Sequence, residues 1–442
     1  MSSSYDLVIR GAQVMTPGGM ASLDIGTRDG CIAALGNLST AKADQTLQAP
    51  GLHVLPGVID THVHFREPGL VHKEDLESGT AAAALGGVTA VFEMPNTDPP
   101  TVSADALNDK ITRSHARLYA DIAFYVGATD GNLDDLPRLE RLAGCCGIKV
   151  FLGSSTGGLL IDDDSMLLRL LTSGHRRVAV HAEDESRLRS RQSKAEEGGS
   201  AAFHPVWRDV QTAFKATERA LALADKTRRR LHILHVSTAD EIEILKQRRD
   251  LATIEVTPQH LTLVDPDCYE RLGTLAQLNP PIRGEQHCSA LWKAVQDGVV
   301  DVIGSDHAPH TLEEKQRRYP TSPSGMPGVQ TLVPVMLTHV AEGRLTLERF
   351  VDLTSAGPAR VFGIACKGRI VVGYDADFTI VDLTHRRTIS NDWIRSKCHW
   401  TPFAGTQCTG WPIFTIVRGR LVMREGELVA PVGRPIRFGE TL

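Results

Sequence analysis

Two histidines separated by one residue stand at the end of an apolar run. His62 and His64 lie in segment 60–66 (DTHVHFR), which directly follows PGVI at 56–59. Residues two apart in a strand point to the same side, so both imidazoles can hold one metal ion. Chance surface or core histidines are the alternative, but a position behind an apolar strand favours the metal site.

A lysine lies inside another apolar run. Lys149 stands in segment 147–152 (GIKVFL), where burial as an ammonium ion would be costly. A lysine that reaches solvent from a strand edge is the plain alternative. Beside metal-binding histidines, a neutral buried amine can instead take up carbon dioxide as a carbamate, whose two oxygens can bridge two cations.

Three further candidates each end a strand-like run. His181 follows VAV at 178–180, His235 follows HIL at 232–234, and Asp306 follows VDVIGS at 300–305. The histidines can supply ligands for a second metal, although each alone could be a structural core residue. Asp306 can ligate a metal and accept a proton, or it could simply cap the next turn.

These residue types together predict metal-assisted hydrolysis. A bound divalent metal lowers the pKa of water from roughly 15.7 to about 7 and polarises a carbonyl group. Zinc accepts nitrogen and oxygen ligands, so cysteine is not needed. His232 would point to the opposite face from His235, and we expect it to be structural.

The elements that must position these residues are short β-branched runs alternating with helical stretches. Eight candidate strands lie at 54–55, 88–92, 120–126, 148–152, 178–180, 231–234, 253–256 and 300–304. Repeated βα units of this number predict an α/β protein with a (β/α)8 barrel. The polar clusters would then meet at the carboxyl-terminal face, where such barrels carry their active sites.

Both ends of the chain have a different texture, with short strand-like runs joined by Gly and Asp turns. Residues 1–55 and 366–442 are therefore predicted to build one small β domain beside a catalytic barrel domain of residues 56–365.

Composition excludes several classes of protein. A hydrophobic content of 42% excludes disorder as the main state, and a net charge of −5 without a basic block argues against a nucleic-acid partner. No apolar run approaches the roughly 18–20 residues of a membrane span. The eight cysteines form no Cys-x-x-Cys pair, so we expect reduced thiols in a cytoplasmic protein that binds a small molecule.

Three segments carry a family resemblance: DTHVHFREPG at 60–69, MPNT at 94–97 and DHAPHT at 306–311. They resemble the signatures of dihydroorotases, which belong to the cyclic amidohydrolases together with hydantoinases (dihydropyrimidinases) and allantoinases. The resemblance covers nearly the whole chain. It implies a TIM barrel with a small β-sandwich formed by both termini, two zinc ions, and a homo-oligomer, either a dimer or a tetramer.

The resemblance also implies roles for individual residues. The implied metal ligands are His62, His64, Lys149, His181, His235 and Asp306. His62 and His64 would hold the more buried zinc ion with Asp306. His181 and His235 would hold the other, and carboxylated Lys149 would bridge the pair. Asp306 would also be the catalytic proton carrier.

Substrate choice can be argued from charge, because dihydroorotate carries a ring carboxylate that hydantoin and allantoin lack. Arg66 offers a bidentate fork for it, unless the arginine only pairs with an acid such as Glu67. Asn96 and His310 can add hydrogen bonds, although Asn96 could be a turn residue. The resemblance adds Asn279 as a contact to the ring, and His64 as a further substrate contact.

The sequence therefore predicts a dihydroorotase of pyrimidine biosynthesis, which reversibly hydrolyses the cyclic amide of dihydroorotate to N-carbamoyl-aspartate. One segment, SGMPGVQ at 324–330, is more similar to hydantoinases and allantoinases, which act on uncharged cyclic ureides. A non-catalytic scaffold and a metal-storage or sensing protein are more distant alternatives.

Overall fold

The computed structural model describes residues 5–155 and 159–439. Residues 1–4 and 440–442, at the ends of the predicted terminal domain, lie outside the described residues. Strands dominate both ends of the described chain, and strands alternate with helices between them.

The N-terminal segment consists of short strands. They are β1 (Tyr5–Arg10), β2 (Gln13–Thr16), β3 (Gly19–Ser22), β4 (Asp24–Arg28), β5 (Cys31–Gly36), β6 (Ala43–Gln48) and β7 (His53–Pro56). Four of these strands form a sheet in the order β5-β4-β1-β6. The remaining three belong to a second sheet that the C-terminal part of the chain completes.

The middle of the chain forms the barrel. Its strands are β8 (Val58–Val63), β9 (Val88–Glu93), β10 (Asp121–Gly127), β11 (Cys145–Phe151), β12 (Val178–His181), β13 (Leu231–Ile233), β14 (Ala252–Val256) and β15 (Val302–Ile303). Neighbours in sequence pair in parallel, from β8 through β15. Their residues are buried on both faces, as continuous apolar runs of a parallel sheet require. The ring closes where the His64 N–H donates to the His307 carbonyl at 2.7 Å.

Helices follow the strands and cover the outside of the barrel. They are α1 (Leu76–Leu85), α2 (Ala104–Arg113), α3 (Leu136–Leu139), α4 (Asp164–Thr172), α5 (Glu185–Gly198), α6 (His204–Trp207), α7 (Val210–Thr227), α8 (Ala239–Leu245), α9 (Pro258–Thr262), α10 (Asp267–Leu272), α11 (Glu285–Gln296), α12 (Leu312–Lys315), α13 (Leu332–Ala341), α14 (Leu347–Val351) and α15 (Gly357–Phe362). Short 3-10 turns lie at Ala201–Phe203, Lys246–Arg248, Gly273–Ala276 and Asn391–Trp393, and a π turn at Asp352–Ala356. None of the described helices is long and apolar enough to cross a membrane.

The C-terminal strands complete the second sheet. They are β16 (Phe378–Thr388), β17 (Gln407–Val417), β18 (Arg420–Arg424) and β19 (Glu427–Leu428). The order of that sheet is β19-β18-β17-β16-β7-β2-β3. The two sheets share an apolar core to which Leu7, Ile25, Val54, Phe378 and Ile416 contribute. The α/β fold class, with a barrel and a sandwich from both termini, is confirmed, and the domain boundaries at 55/56 and 365/366 stay predictions.

One of the eight predicted barrel strands is wrong. Residues 54–55 belong to β7, which pairs with β16 and β2 in the sandwich. The first barrel strand is β8, which begins just beyond Gly57. Both segments are short, apolar and adjacent, so hydrophobic pattern alone does not separate them. As a consequence, His62 lies inside the first barrel strand rather than after it.

Aromatic side chains fill the barrel at the end opposite the histidine clusters, here called the base. Phe92 and Tyr125 point inward from β9 and β10, and Phe362 and Phe438 close over Phe92 with ring centroids 5.0 and 5.8 Å away. The base is therefore filled by these side chains. The other end, at the carboxyl termini of the strands, is called the mouth.

Candidate active site

Three of the predicted residues meet around one carboxylate oxygen at the mouth. Oδ1 of Asp306 lies 3.1 Å from Nε2 of His62 and 3.2 Å from Nε2 of His64. The far side of each ring has its own acceptor: Nδ1 of His62 is 2.7 Å from Glu255 Oε1, and Nδ1 of His64 is 2.7 Å from Asn96 Oδ1. A ring that donates from Nδ1 to these acceptors has Nε2 free to act as a metal ligand on the side of the carboxylate.

The second histidine pair lies beside the first. Nδ1 of His181 is 3.0 Å from Nε2 of His235, and Nε2 of His181 is 3.0 Å from Oε2 of Glu183. Burial lowers the pKa of His181 despite the Glu183 carboxylate, so the ring is neutral and donates its Nε2 proton to Glu183. Its Nδ1 lone pair therefore faces His235, where a shared cation can be bound.

Lys149 projects from β11 between the two histidine pairs. The residue is 1% exposed, and its Nζ has no hydrogen-bond partner among the described residues. Burial lowers the pKa of this amine to about 7, against the opposing effect of Asp306 and Glu255. A fraction of the amine is thus neutral at physiological pH, the form that reacts with carbon dioxide.

The donor set can hold a metal ion. Ligand atoms of His62, His235 and Asp306 lie within 4.8 Å of one another. Imidazole lone pairs directed at a carboxylate oxygen repel it unless a cation lies between them. Nitrogen and oxygen donors of this kind suit zinc and related divalent metals. The orphaned Lys149 amine, once carboxylated, would supply the remaining oxygens.

Residues behind the ligands fix their orientation. Glu255 on β14 accepts from His62 Nδ1, and its Oε2 accepts from Thr61 Oγ1 at 3.1 Å. Gly304 leaves room for that carboxylate, because a Cβ at this position would lie 2.6 Å from Glu255 Oε2. Partners of this kind set the tautomer and basicity of metal-binding histidines.

Arg66 lies at the edge of the same cavity and is 1% exposed. Its Nε donates to the Pro309 carbonyl at 3.3 Å, while Nη1 is buried without a partner in the described chain. An unpaired buried guanidinium N–H costs free energy unless a ligand accepts from it. The salt-bridge alternative for Arg66 is not what the structure shows, because Glu67 pairs instead with Arg117 at 2.9 Å.

A cavity with about 360 Å³ of empty space joins these groups. Of the predicted residues, its lining includes both histidine pairs, Lys149, Asp306, Arg66, Asn96 and Asn279. Asn279 presents Oδ1 to Nε2 of His204 at 2.9 Å. His310 is fully buried behind Arg66 and is not part of this lining, so its direct contact with substrate stays a prediction.

The two ends of segment 324–330, which resembles hydantoinases and allantoinases, contribute differently to the cavity. Ser324 and Gly325 line the cavity, whereas Gly328 N–H donates to His307 Nδ1 at 3.1 Å on the far side. Nζ of Lys315 holds the lining part in place by donating to the carbonyls of Pro323 at 2.9 Å and Gly325 at 3.1 Å. The Pro327-Gly328 pair is not part of the cavity lining.

Three cavity residues have left-handed backbone conformations that are uncommon for residues other than glycine. The φ angle is 63° at Arg66, 37° at His235 and 44° at Asp306. Such conformations cost of order 1–3 kcal/mol each and persist where the surroundings impose them. They aim three side chains from strand ends into one small volume.

The sequence pattern did not single out several residues that surround the site. Glu255 stands in an apolar strand as Lys149 does, and the same argument about a buried charge could have found it. Lys73 and Lys315 lie in polar segments that look solvated in the sequence, and His204 lies in the mainly apolar segment 201–207 (AAFHPVW). Only the tertiary structure shows that they are buried. His232 lies below the cavity, where its Nδ1 is 2.8 Å from Thr253 Oγ1.

Comparison with known proteins places this geometry in context. Residues 53–422 match the model of the amidohydrolase family. A dihydroorotase of Methanosarcina mazei is 34% identical over 97% of this chain and 96% of that protein. A dihydroorotase of Halobacterium salinarum is 39% identical over 87% of this chain and 89% of its own length.

A solved structure is similar over the entire fold. The L-hydantoinase (dihydropyrimidinase) from Arthrobacter aurescens superimposes with a TM-score of 0.93 at 32% identity. The match covers 98% of this chain and 99% of that one.

Proposed function

This chain belongs to the amidohydrolase family, and from that premise we propose that it is a dihydroorotase, the reversible hydrolase of the dihydroorotate ring amide. The single observation that carries the choice of substrate is the buried Arg66 Nη1, which lacks an acceptor in the described chain and borders the cavity. A ring carboxylate supplies that acceptor, and uncharged ureides do not. The similarity to the dihydroorotases of M. mazei and H. salinarum supports the same choice.

The proposed cofactor is a pair of zinc ions bridged by carboxylated Lys149, with ligands from His62, His64, His181, His235 and Asp306. When bound, the metal pair lowers the pKa of water and polarises the carbonyl that is attacked. The buried amine of Lys149 and Nδ1 of His235, both without a hydrogen-bond partner among the described residues, support this assignment.

Protein groups then orient the substrate and move the proton. Arg66 binds the ring carboxylate, with Asn96 and His310 nearby, and Asn279 faces the ring. Asp306 lies 3.1–3.2 Å from two imidazoles, where it takes a proton from the attacking water and gives it to the departing ring nitrogen. Asp306 acts here as the ionised carboxylate, the form that can accept the proton.

Turnover of the purified, zinc-loaded protein tests the proposal directly. Dihydroorotate should be hydrolysed far faster than dihydrouracil, hydantoin or allantoin at equal concentration. Activity confined to the uncharged rings would make this chain a hydantoinase or allantoinase, the alternative that the A. aurescens structure favours. The absence of turnover on all four rings, with zinc bound, would favour a scaffold role.

Lysine carboxylation and assembly need their own measurements. An intact-mass increase of one carbon dioxide under native conditions, lost in Lys149→Met, is expected. The eight cysteines are all unpaired, which supports a reducing compartment such as the cytoplasm. Light scattering after size exclusion should give a dimer or a tetramer.

A further inference from the structure

Lys73 is a buried lysine that the mechanism above does not use. It lies between β8 and α1, and it is 8% exposed. Its Nζ is 2.9 Å from Oε1 of Glu314 and 3.2 Å from Nδ1 of His310. The ion pair with Glu314 keeps the lysine an ammonium, which has hydrogens to donate and no lone pair.

This contact decides the tautomer of His310. Because the ammonium only donates, Nδ1 of His310 must carry the lone pair, and the proton of the neutral ring must lie on Nε2. The carbonyl of Ser324, 3.1 Å from Nε2, is placed to accept that proton. Burial also lowers the pKa of His310 to about 3, so the ring is neutral.

The tautomer in turn decides what Arg66 can do. Nη2 of Arg66 lies 3.4 Å from Nε2 of His310. With hydrogen on both nitrogens, His310 offers Arg66 no acceptor. Both terminal nitrogens of the guanidinium, Nη1 and Nη2, then remain for a ligand. In the opposite tautomer, the Nε2 lone pair would bind Nη2 and occupy half of the fork.

We propose that Lys73 is a positioning residue for the carboxylate-binding end of the site, which keeps the Arg66 fork open by fixing the tautomer of His310. The inference rests on the proposed function, since the fork is assigned to a substrate carboxylate. Lys73 touches neither substrate nor metal ligand. It acts through His310, and its effect is specific to rings that carry an anion.

Glu314 is the group that would reverse the tautomer. Its Oε2 lies 3.8 Å from Nδ1 of His310, beyond hydrogen-bond distance, and accepts from the Thr311 N–H at 3.1 Å. Without the ammonium, this carboxylate can approach and accept a proton from Nδ1. Nε2 then carries the lone pair and accepts a hydrogen bond from Arg66 Nη2. It also faces the Ser324 carbonyl oxygen with no proton between the two atoms.

The test compares kcat/KM for dihydroorotate with kcat/KM for dihydrouracil, the same ring without the carboxylate. In Lys73→Met this ratio should fall about 10-fold, mainly through KM for dihydroorotate, the size expected for one lost charge-assisted hydrogen bond. The double variant Lys73→Met/Glu314→Gln should recover most of the ratio, because an amide N–H can donate to Nδ1. Lys73→Gln should lie close to wild type for the same reason.

Lys397→Met is the matched control. Its ammonium binds the Val71 carbonyl at 2.9 Å and the Asp75 carboxylate at 2.6 Å, in the segment that carries Lys73. The control should keep the wild-type ratio. An equal loss on both substrates in Lys73→Met, or no recovery in the double variant, would reduce Lys73 to a structural residue and overturn the proposal.

The tautomer can also be read without turnover. Long-range 1H–15N correlation spectra of histidine-labelled protein, assigned with His310→Gln, should show His310 protonated on Nε2 in wild type and on Nδ1 in Lys73→Met. If wild type shows that tautomer but does not turn over dihydroorotate, the proposed function fails, and with it the positioning role of Lys73, while the tautomer of His310 stands. A wild-type Nδ1 tautomer overturns the assignment itself.

Discussion

Two clusters of buried charged residues lie at opposite ends of the barrel, and each contains one lysine. At the base, Nζ of Lys367 is 2.8 Å from Asp121, 3.0 Å from Asp375 and 2.5 Å from Asp377. At the mouth, Nζ of Lys149 has no hydrogen-bond partner among the described residues. Both clusters bring three possible metal ligands within 4.8 Å, yet only the mouth leaves its donor atoms unsatisfied.

The pKa shifts of the two lysines have opposite directions for a physical reason. Burial disfavours both ammonium ions, but the three carboxylates outweigh burial at Lys367 and raise its pKa. At Lys149 burial prevails and lowers the pKa to about 7. A cluster that supplies its own cation is structural, whereas a cluster whose lysine can lose its charge is available to metal and carbon dioxide.

Substitution of Asp306 should have the largest effect on activity. Asp306→Asn removes the proton acceptor, so kcat should fall by about 10³-fold, while the unfolding temperature changes little. The base provides the control: Asp121→Asn should lower stability and leave turnover per folded molecule near wild type. Steady-state kinetics with zinc analysis of both variants checks this. More than a tenth of wild-type turnover in Asp306→Asn would refute its role as proton carrier.

Loss of the base lysine should have the largest effect on stability. Lys367→Met leaves three buried carboxylates uncompensated, so the free energy of unfolding should fall by about 3–5 kcal/mol. Urea denaturation measures the change. Little or no loss of stability would show that Arg418, which also pairs with Asp121, suffices to hold the base together.

The lysine-to-methionine substitution at the mouth should reduce activity with little change in stability. Lys149→Met replaces an unpaired amine by an apolar chain of similar length, so the free energy of unfolding should change by only about 1 kcal/mol. Zinc content and turnover should both fall, because the bridging oxygens are gone. If stability instead falls as far as in Lys367→Met, the proposed contrast between the two ends is wrong.

Substitution of Arg66 should change specificity by a smaller amount. Arg66→Met removes a charge-assisted contact worth about 1.5–3 kcal/mol, so the preference for dihydroorotate over dihydrouracil should fall by roughly 10- to 100-fold. Arg418→Met at the base is the matched control and should keep the preference. Equal kcat/KM losses on both rings in Arg66→Met would mean that Arg66 supports the cavity rather than reads the carboxylate.

The smallest expected effect is on the pH dependence of the free energy of unfolding, through two buried histidines near the mouth. Burial lowers the pKa of His204 to about 3 and that of His260 to about 4. The unfolded chain therefore binds more protons below pH 6.5. The stability these neutral rings contribute is complete above that pH and is lost as the pH falls toward 4.

Urea titrations of chelator-treated protein between pH 6.5 and 4.5 measure this slope. In His204→Gln the slope should be shallower by about 1.4 kcal/mol per pH unit, the amount for one proton. His115→Gln, which replaces a partly exposed histidine near the end of α2, should leave the slope as it is. An unchanged slope in His204→Gln would assign the acid sensitivity to other groups.

The sequence indicated most of the barrel and most of the residues that meet at its mouth, because strand period and burial constrain both. A charged residue such as Lys149 or a histidine such as His62 stands out in an apolar strand, and parallel strands bring their ends together. By contrast, the separation of β7 from β8 depends on which sheet each segment joins. That choice is made by contacts with β16, more than 300 residues further along the chain.

Residues that act through others were harder to predict. Lys73 and Glu314 stand in charged segments that look like solvated loops and helix ends. Their importance comes from one imidazole between them, contributed by a third segment. The distance of 3.2 Å between Nζ of Lys73 and Nδ1 of His310 cannot be predicted from a local sequence pattern, because the two residues meet only in the folded chain.

The left-handed conformations at Arg66, His235 and Asp306 have a consequence for how this chain can evolve. Glycine would relax the backbone at each position, so any copy released from selection for catalysis would gain stability by losing these side chains. Selection for catalysis is therefore what retains an arginine, a histidine and an aspartate at φ angles of 63°, 37° and 44°. A duplicated copy that served only as a scaffold should therefore be recognisable by glycine or asparagine at these three positions.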